Sequence, residues 1–151
     1  MFLWIALTIV VVSGLALFGA GWWSRRHPGP VGLVDGELRG CPSSPNCVRS
    51  EAGTDEGHRI EPFAIQSDPQ VVFERFADQI AKDESATIVK RDEGYLHVEY
   101  RSPLIGFVDD LELRLADDVI HVRSASRVGH SDLGANRRRV EALRKGFESG
   151  R

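Results

Sequence analysis

An uncharged apolar run at the start of the chain constrains its fold more than any other feature. Residues 2–23, FLWIALTIVVVSGLALFGAGWW, contain no charged side chain, and a helix of this length crosses the roughly 30 Å hydrocarbon layer of a bilayer. Trp22 and Trp23 fall where interfacial aromatic residues lie. We therefore predict a transmembrane anchor at residues 1–26, in contact with membrane lipid through residues 2–23. The alternative, a cleaved signal peptide, fits less well, because its apolar region is shorter and follows basic residues.

Two features disagree about the side of the membrane on which the rest of the chain lies. Arg25 and Arg26 follow the apolar run, and the positive-inside rule places such residues in the cytoplasm. Cys41 and Cys47 are the two cysteines of the chain, and a close pair of this kind is typical of a disulfide in an oxidising compartment. The sequence thus predicts a single-pass protein of the cell membrane and leaves its topology open.

Length and charge limit what the remaining residues can form. About 125 residues follow the anchor, which is enough to bury one hydrophobic core. The net charge is -3, so the chain lacks the general positive field that attracts nucleic acid, and we predict no nucleic-acid partner. Residues 27–40, HPGPVGLVDGELRG, contain two prolines and four glycines without periodicity. They predict a flexible tether between the anchor and a single domain at residues 41–151.

A change in hydrophobic periodicity predicts an α+β domain. Ser67-Asp68-Pro69 is a strong helix start, and apolar residues then recur at helical spacing. After this helix, apolar and polar residues alternate in four runs separated by short turns, which indicates an antiparallel sheet. The predicted order is β-α-β-β-β-β-α, with both helices on one face of the sheet. The expected elements are strand 59–65, helix 69–82, strands 87–91, 95–101, 107–115 and 119–127, and helix 133–148.

The densest polar pattern is RSASRVGHSDLGANRRR, residues 123–139, which joins the last strand to the last helix. Helical spacing places Asn136 on the core-facing side of the first turn and Arg137 on its flank. A helix N-terminus carries free amides and partial positive charge, to which Arg127 adds a full charge. The pattern predicts a pocket for a carboxylate, phosphate or other anion. The alternative is a structural junction in which Ser131 or Asp132 only caps the helix, and Gly129 and Gly134 allow a tight turn.

An acidic pair, Asp109-Asp110, comes just before the apolar alternation of its strand. If Asp117-Asp118 forms a two-residue turn, Asp109 lies opposite Ser126 and Glu112 lies opposite Arg123. Asp109 shares the parity of the apolar residues, so it points toward the core and needs polar partners. An interior network and a binding site both fit this pattern. The candidate ligand-binding residues are Asp109, Arg123, Ser126, Arg127, Asp132, Asn136 and Arg137.

The five histidines show no spacing typical of a metal site, and we predict neither a metal nor a cofactor. His97 and His121 occupy strand positions opposite the apolar ones and are expected to be solvated. His130 adjoins Ser131 and Asp132. Ser-His-Asp catalysis needs groups that converge in space, which adjacent residues rarely do.

The segment CPSSPNC, residues 41–47, contains both cysteines. Pro45 and Asn46 fall at the central positions of a β-turn, which brings Cys47 back toward Cys41. A bond closing so short a loop stabilises by roughly 2 to 2.5 kcal/mol on the chain-entropy model. We predict a local disulfide, and a reduced, proline-set turn is the alternative. A close redox couple usually has fewer intervening residues, and two cysteines supply half of a tetrahedral metal site.

Three blocks of the chain resemble a known family. They are CPSSPNCV at residues 41–48, the Asp109-Asp110 pair after Gly-Phe-Val, and RSASRVGHSDLGANRRRVEALR at residues 123–144. Together they are similar to the family catalogued as domain of unknown function 1499, whose members are bacterial membrane-associated or exported proteins and chloroplast relatives. The resemblance implies that the three blocks form one site, and it implies no activity and no catalytic residue.

These observations favour a membrane-anchored binding module for an anionic small molecule, a lipid headgroup or an envelope protein. One alternative is an envelope enzyme, either a hydrolase that uses Asp109 or His130, or a thiol-disulfide protein that uses Cys41 and Cys47. For the hydrolase, spacing identifies no pair of nucleophile and base. A further alternative is a structural or assembly protein of the envelope.

Overall fold

The computed structural model describes residues 1–149 and begins with one long helix, α1, at Phe2–Arg26. This helix is long and apolar enough to cross a membrane, and none of its most apolar stretch is buried. A signal sequence near the N-terminus meets the same requirement, so α1 is a candidate membrane span. The predicted N-terminal apolar helix is confirmed.

The rest of the chain is an α+β domain. Its elements are β1 (Leu33–Val34), β2 (Glu37–Leu38), β3 (Cys47–Arg49), β4 (Phe63–Ala64), α2 (Pro69–Ile80), β5 (Ala86–Asp92), β6 (Tyr95–Arg101), β7 (Val108–Leu115), β8 (Val119–Ser126) and α3 (Ala135–Ser149). The main sheet has the strand order β3-β8-β7-β6-β5, and β4 also pairs with β8. All of these pairings are antiparallel. The predicted fold class and element order are confirmed, and β1, β2 and β3 are additions to them.

Both helices of the domain pack on one face of the sheet, which we call the helix face. Leu96, Leu113 and Val122 lie side by side in the strand register and are fully buried there. Helix α2 begins at Pro69 because Asp68 accepts a hydrogen bond from the third amide of the helix. Its apolar stripe and that of α3 complete the core. The helices contribute Val72, Phe73, Phe76, Ala77, Ile80, Val140 and Phe147.

The opposite face of the sheet is polar and is covered by the β1–β2 hairpin, so we call it the hairpin face. Leu38 of the hairpin is 1% exposed, and the Gly32 amide donates a hydrogen bond to the Glu112 carboxylate at 2.6 Å. The hairpin turns at Asp35 and Gly36, both of which have positive φ, as a tight two-residue turn requires. This face carries Tyr95, His97, Glu99, Asp110, Glu112, Arg114, His121 and Arg123.

The hairpin lies within residues 27–40, for which the sequence predicts a flexible tether. In the structure, residues 33–38 of this segment pair with each other and pack on the domain. Strands of two residues are too short to show the alternation from which strands are predicted. The division into an anchor, a tether and a domain stays a prediction, but this part of the proposed tether has a defined structure.

The C-terminal end of α1 packs against the domain. Ser24 is fully buried, and its hydroxyl bonds with the amide and the carbonyl of Val108 at 2.9 and 3.3 Å. Arg127 donates to the Ser24 carbonyl at 3.1 Å. A Cβ at Gly21 would collide with the carbonyl oxygen of Ile105, so only glycine allows this close approach. The helix and the domain are therefore joined by direct contacts.

We expect Leu38→Ala to lower the free energy of unfolding by about 2–5 kcal/mol, because it removes a buried side chain and leaves a cavity under the hairpin. Urea unfolding of the full chain in a mild detergent, followed by circular dichroism, measures this. Leu33→Ala is the matched control, since Leu33 is 42% exposed on the same hairpin and its truncation should cost less than about 0.5 kcal/mol. Equal losses from the two variants would contradict a packed hairpin.

Candidate functional site

The junction between β8 and α3, predicted as a site, is built around the cap of α3. Asp132 accepts hydrogen bonds from the amides of Gly134 and Asn136 at 2.9 and 2.7 Å. Burial opposes the ionisation of Asp132, but these amide bonds outweigh it and lower the pKa of the carboxyl. Asp132 therefore occupies the helix N-terminus at which an anionic ligand was expected.

Asn136 is fully buried and is the centre of this junction. Its Oδ1 accepts hydrogen bonds from Ser124 Oγ at 2.5 Å and from Arg139 Nη1 at 2.7 Å. Its Nδ2 lies 2.9 Å from both Ser126 Oγ and Asp132 Oδ2. The amide thus has protein partners for its donors and its acceptor. Asn136 joins strand, loop and helix and has no group left for a ligand.

Asp109 lies on the helix face opposite Ser126, as the predicted register requires. Its carboxylate accepts a hydrogen bond from Arg139 Nη2 at 2.7 Å, and the same guanidinium lies 4.6 Å from the centre of the Tyr100 ring. Arg139 is a site residue that the sequence reasoning missed. It lies three residues after Asn136, and this spacing places both side chains on one side of α3.

Arg127 lies on the hairpin face, on the other side of the sheet from Asp109. Its Nε and Nη2 donate to Asp110 at 2.8 and 2.7 Å, and Nη2 also donates to Glu99 at 2.5 Å. His97 Nε2 lies 2.7 Å from Asp110 Oδ1. Burial opposes the ionisation of Asp110, but the bonds from Arg127 and His97 outweigh it and lower its pKa. The Arg127 side chain is 2% exposed and already has two carboxylate partners.

A second ion pair on the hairpin face joins Glu112 and Arg123, which are 2.9 Å apart and paired in the predicted register. Both residues are buried, and Tyr95 donates a hydrogen bond to Glu112 at 2.7 Å. Burial and the Glu112 carboxylate raise the pKa of Tyr95. Arg123 also lines a small cleft of about 260 Å³ together with Cys41. The buried pair of Glu112 and Arg123 is costly to break, because removal of one residue leaves the charge of the other without a partner.

The remaining predicted residues do not join a common pocket. Arg137 is exposed and donates to the carbonyls of Gly57 and Arg59 at 3.0 and 2.8 Å. The expectation that His97 is solvated is wrong, since it is 5% exposed. His121 is partly buried and lies 3.1 Å from Ser50 Oγ. Within residues 1–149, no group of three or more His, Cys, Asp or Glu could hold a metal ion.

Cys41 and Cys47 form a disulfide, as predicted, with their Cα atoms 5.7 Å apart. Cys47 is 1% exposed and begins β3, where it pairs with Ala125 of β8. Thiol-disulfide exchange needs an accessible sulfur. The buried position of Cys47 therefore favours a structural bond that closes the CPSSPNC loop beside the sheet.

A groove next to these residues lies at the junction of α1 and the domain, and we call it the junction groove. It consists of two clefts of about 590 and 450 Å³, both lined by Ser102, Asp109 and Ala135. The first cleft extends along Tyr100 and Arg139, and the second ends against α1. Of the predicted site residues, Asp109, Ser126 and Asp132 line it.

Tyr100 is the unusual residue of the junction groove. It is 5% exposed, and its buried hydroxyl has no hydrogen-bond partner within the described part of the chain. Burial and the charge of Asp83 raise the pKa of Tyr100 to about 12, so the hydroxyl keeps its proton and is a donor. Buried donors are almost always paired in folded proteins. Because Tyr100 also lines the junction groove, its unpaired hydroxyl is a candidate ligand contact.

We expect acid to weaken the domain through Asp110. Because its pKa is lowered in the folded state, its ionisation stabilises the fold above the unfolded pKa of about 4, and this contribution is lost as the pH falls through the folded pKa. Asp110→Asn should cost about 3–5 kcal/mol at neutral pH, since Arg127 loses its main charged partner. The difference from the wild type should shrink on acidification. Urea unfolding over a range of pH measures both effects.

The matched control for this prediction is Glu93→Gln, in the exposed turn between β5 and β6. It should change the free energy of unfolding by less than about 0.5 kcal/mol at every pH. A wild-type advantage over Asp110→Asn that stays constant down to acid pH would contradict the assignment of an ionised, paired Asp110.

Comparisons with known proteins identify a family. No curated protein and no solved structure matches the chain. The family model described as "Protein of unknown function (DUF1499)" matches residues 37–147, which covers the domain from β2 into α3 and includes both cysteines, the Asp109-Asp110 pair and the α3 junction. The chain therefore belongs to the DUF1499 family of proteins of unknown function.

Proposed function

We propose that this protein is a membrane-anchored binding module whose junction groove holds the headgroup of a phospholipid. Two observations carry the proposal: Tyr100 lines that groove, and its buried hydroxyl has no hydrogen-bond partner within residues 1–149. A buried donor without a partner costs about 1–3 kcal/mol. A ligand that supplies an acceptor, such as a phosphate oxygen, would recover that free energy on binding.

The charges of the groove favour a particular kind of headgroup. Arg139 and Asp109 form an ion pair with each other, so they add little net charge. Arg101 and Asp83 are the exposed ionisable groups left in the same cleft, and within residues 1–149 neither has an ion-pair partner. Since these two groups have opposite charges, they suit a zwitterionic headgroup, with its phosphate near Arg101 and its ammonium near Asp83. This differs from the purely anionic ligand expected from the sequence.

The far end of the groove suits an apolar chain. The second cleft is lined by Leu17 and Ala20 of α1 together with Phe107 and Val128 of the domain. Leu17 and Ala20 belong to the apolar run of the candidate membrane span. A lipid whose headgroup lies beside Tyr100 could therefore keep its acyl chains along α1. Most ligand sites combine a largely apolar surface with a few placed polar groups in this way.

The Cys41–Cys47 bond supports an oxidising compartment for the domain, whereas Arg25 and Arg26 favour the cytoplasm.

The alternatives of an envelope enzyme and of an assembly protein stay predictions. Two facts count against a hydrolase: the Asp109 carboxylate is already bonded to Arg139, and His130 lies on an exposed loop. The burial of Cys47 counts against a thiol-disulfide protein.

We expect Tyr100→Phe to weaken the binding of a short-chain phosphatidylethanolamine by about tenfold. A hydrogen bond to a charged acceptor is worth about 1.5 kcal/mol, which corresponds to this factor. The substitution should leave the stability of the fold unchanged or higher, because the hydroxyl has no hydrogen-bond partner among residues 1–149. Native mass spectrometry of the full chain, released from detergent in the presence of increasing lipid, measures the binding.

The chain contains one other tyrosine, Tyr95, which gives the matched control. Tyr95→Phe removes a hydroxyl that bonds with Glu112 on the hairpin face, so it should lower stability and leave lipid affinity unchanged. Arg101→Gln and Asp83→Asn test the two ends of the headgroup, with phosphatidylglycerol and diacylglycerol as comparison ligands. If diacylglycerol binds as tightly as phosphatidylethanolamine, or if Tyr100→Phe has no effect, the groove does not recognise a phosphate and the proposal is wrong.

A further inference from the structure

We infer that the domain itself rests on the bilayer, with the side chains of Leu104 and Leu133 inserted into the membrane interface. This contact is separate from the span of α1 and does not require a ligand in the junction groove. It would fix the position of the folded domain relative to the lipid surface.

The exposure of these two leucines is the first observation. Leu104 is 88% exposed and Leu133 is 84% exposed. Among the described residues after α1, the next large apolar side chains are Val71 at 66% and Val89 at 52%. Scattered single apolar residues on a surface are ordinary. Leu104 and Leu133 differ from such residues in being almost fully exposed.

The two loops that carry Leu104 and Leu133 both lie beside α1. In the loop at residues 102–106, the Ile105 carbonyl lies against Gly21 and accepts a hydrogen bond from Arg25 at 3.5 Å. In the loop at residues 128–134, Val128 and Ser131 line the same cleft as Leu17 and Ala20. Both loops therefore flank α1.

The depth of these contacts along α1 brings the loops to the lipid. Leu17 precedes Arg25 by eight residues, and at about 1.5 Å per residue this is roughly 12 Å along the helix axis. A bilayer that surrounds the apolar run up to Trp22 and Trp23 therefore also reaches the loops that line a cleft together with Leu17 and Ala20. The side chains of Leu104 and Leu133, which these loops carry, would then be exposed to lipid and not to water.

The local structure at Leu133 supports a side chain held outward. Leu133 has φ of 53°, a left-handed conformation that is uncommon for residues other than glycine. Its amide donates to Ser131 Oγ at 3.2 Å and its carbonyl accepts from Arg138 Nη1 at 2.7 Å. The backbone is thus fixed while the side chain remains exposed. Arg138 and the nearby end of α1, with Arg25 and Arg26, supply the positive charge that suits lipid phosphates.

Site-directed spin labelling of the full chain in lipid nanodiscs tests this inference. Single variants Leu104→Cys and Leu133→Cys are labelled under non-reducing conditions, so that the Cys41–Cys47 bond stays closed. Val71→Cys and Val89→Cys are the controls, because they are exposed apolar positions on α2 and β5, outside both loops. Accessibility to oxygen, which partitions into lipid, is compared with accessibility to a water-soluble nickel complex.

We expect labels at 104 and 133 to give an oxygen-to-nickel accessibility ratio several-fold higher than labels at 71 and 89. The ratio at 104 and 133 should fall to the control value when the chain is moved from nanodiscs into a polymer without a lipid layer. A ratio equal to the controls in nanodiscs places the loops in water and overturns the inference. Low accessibility to both reagents overturns it as well, because it indicates a protein contact, such as a second copy of the chain.

Discussion

The buried charges of the hairpin face are the constraint on which the rest of the domain depends. Asp110 and Arg127, and Glu112 and Arg123, can be removed from water only as pairs, since an isolated buried charge costs several kcal/mol. The hairpin excludes water from this face, and the end of α1 supplies a carbonyl acceptor to Arg127. Because this polar face is covered by the segment between α1 and the main sheet, that segment is a structural part of the protein.

The sequence predicted the framework well because its four central strands and two helices have clear periods. The register at Asp109–Ser126 and Glu112–Arg123 follows from one short turn and the alternation of side chains, and it is correct. Arg127 was grouped with Asn136 because both lie in one continuous polar segment. The alternation that placed Ser126 on the helix face puts the next residue on the opposite face.

The parts that could not be predicted depend on contacts between distant segments. His97 has the parity of a solvent-facing residue, but it is 5% exposed and its Nε2 lies 2.7 Å from Asp110 Oδ1, which the alternation within one strand cannot show. The groove arises where α1 meets loops some eighty residues later. Within the described part of the chain, the lack of a hydrogen-bond partner for the Tyr100 hydroxyl is a property of three-dimensional packing. An alternating pattern shows which face a side chain occupies and not what lies beside its hydroxyl.

The contact between Ser24 and Val108 has a consequence for how the proposed phospholipid ligand would reach the protein. A flexible linker of the length of residues 27–40 would let a domain sample roughly 20 Å around its anchor point. The paired hydrogen bonds at Ser24 remove that freedom, so the domain keeps a fixed position relative to α1. For the phospholipid ligand proposed above, such a fixed domain would meet its ligand by a two-dimensional process whose rate is set by lateral diffusion in the bilayer.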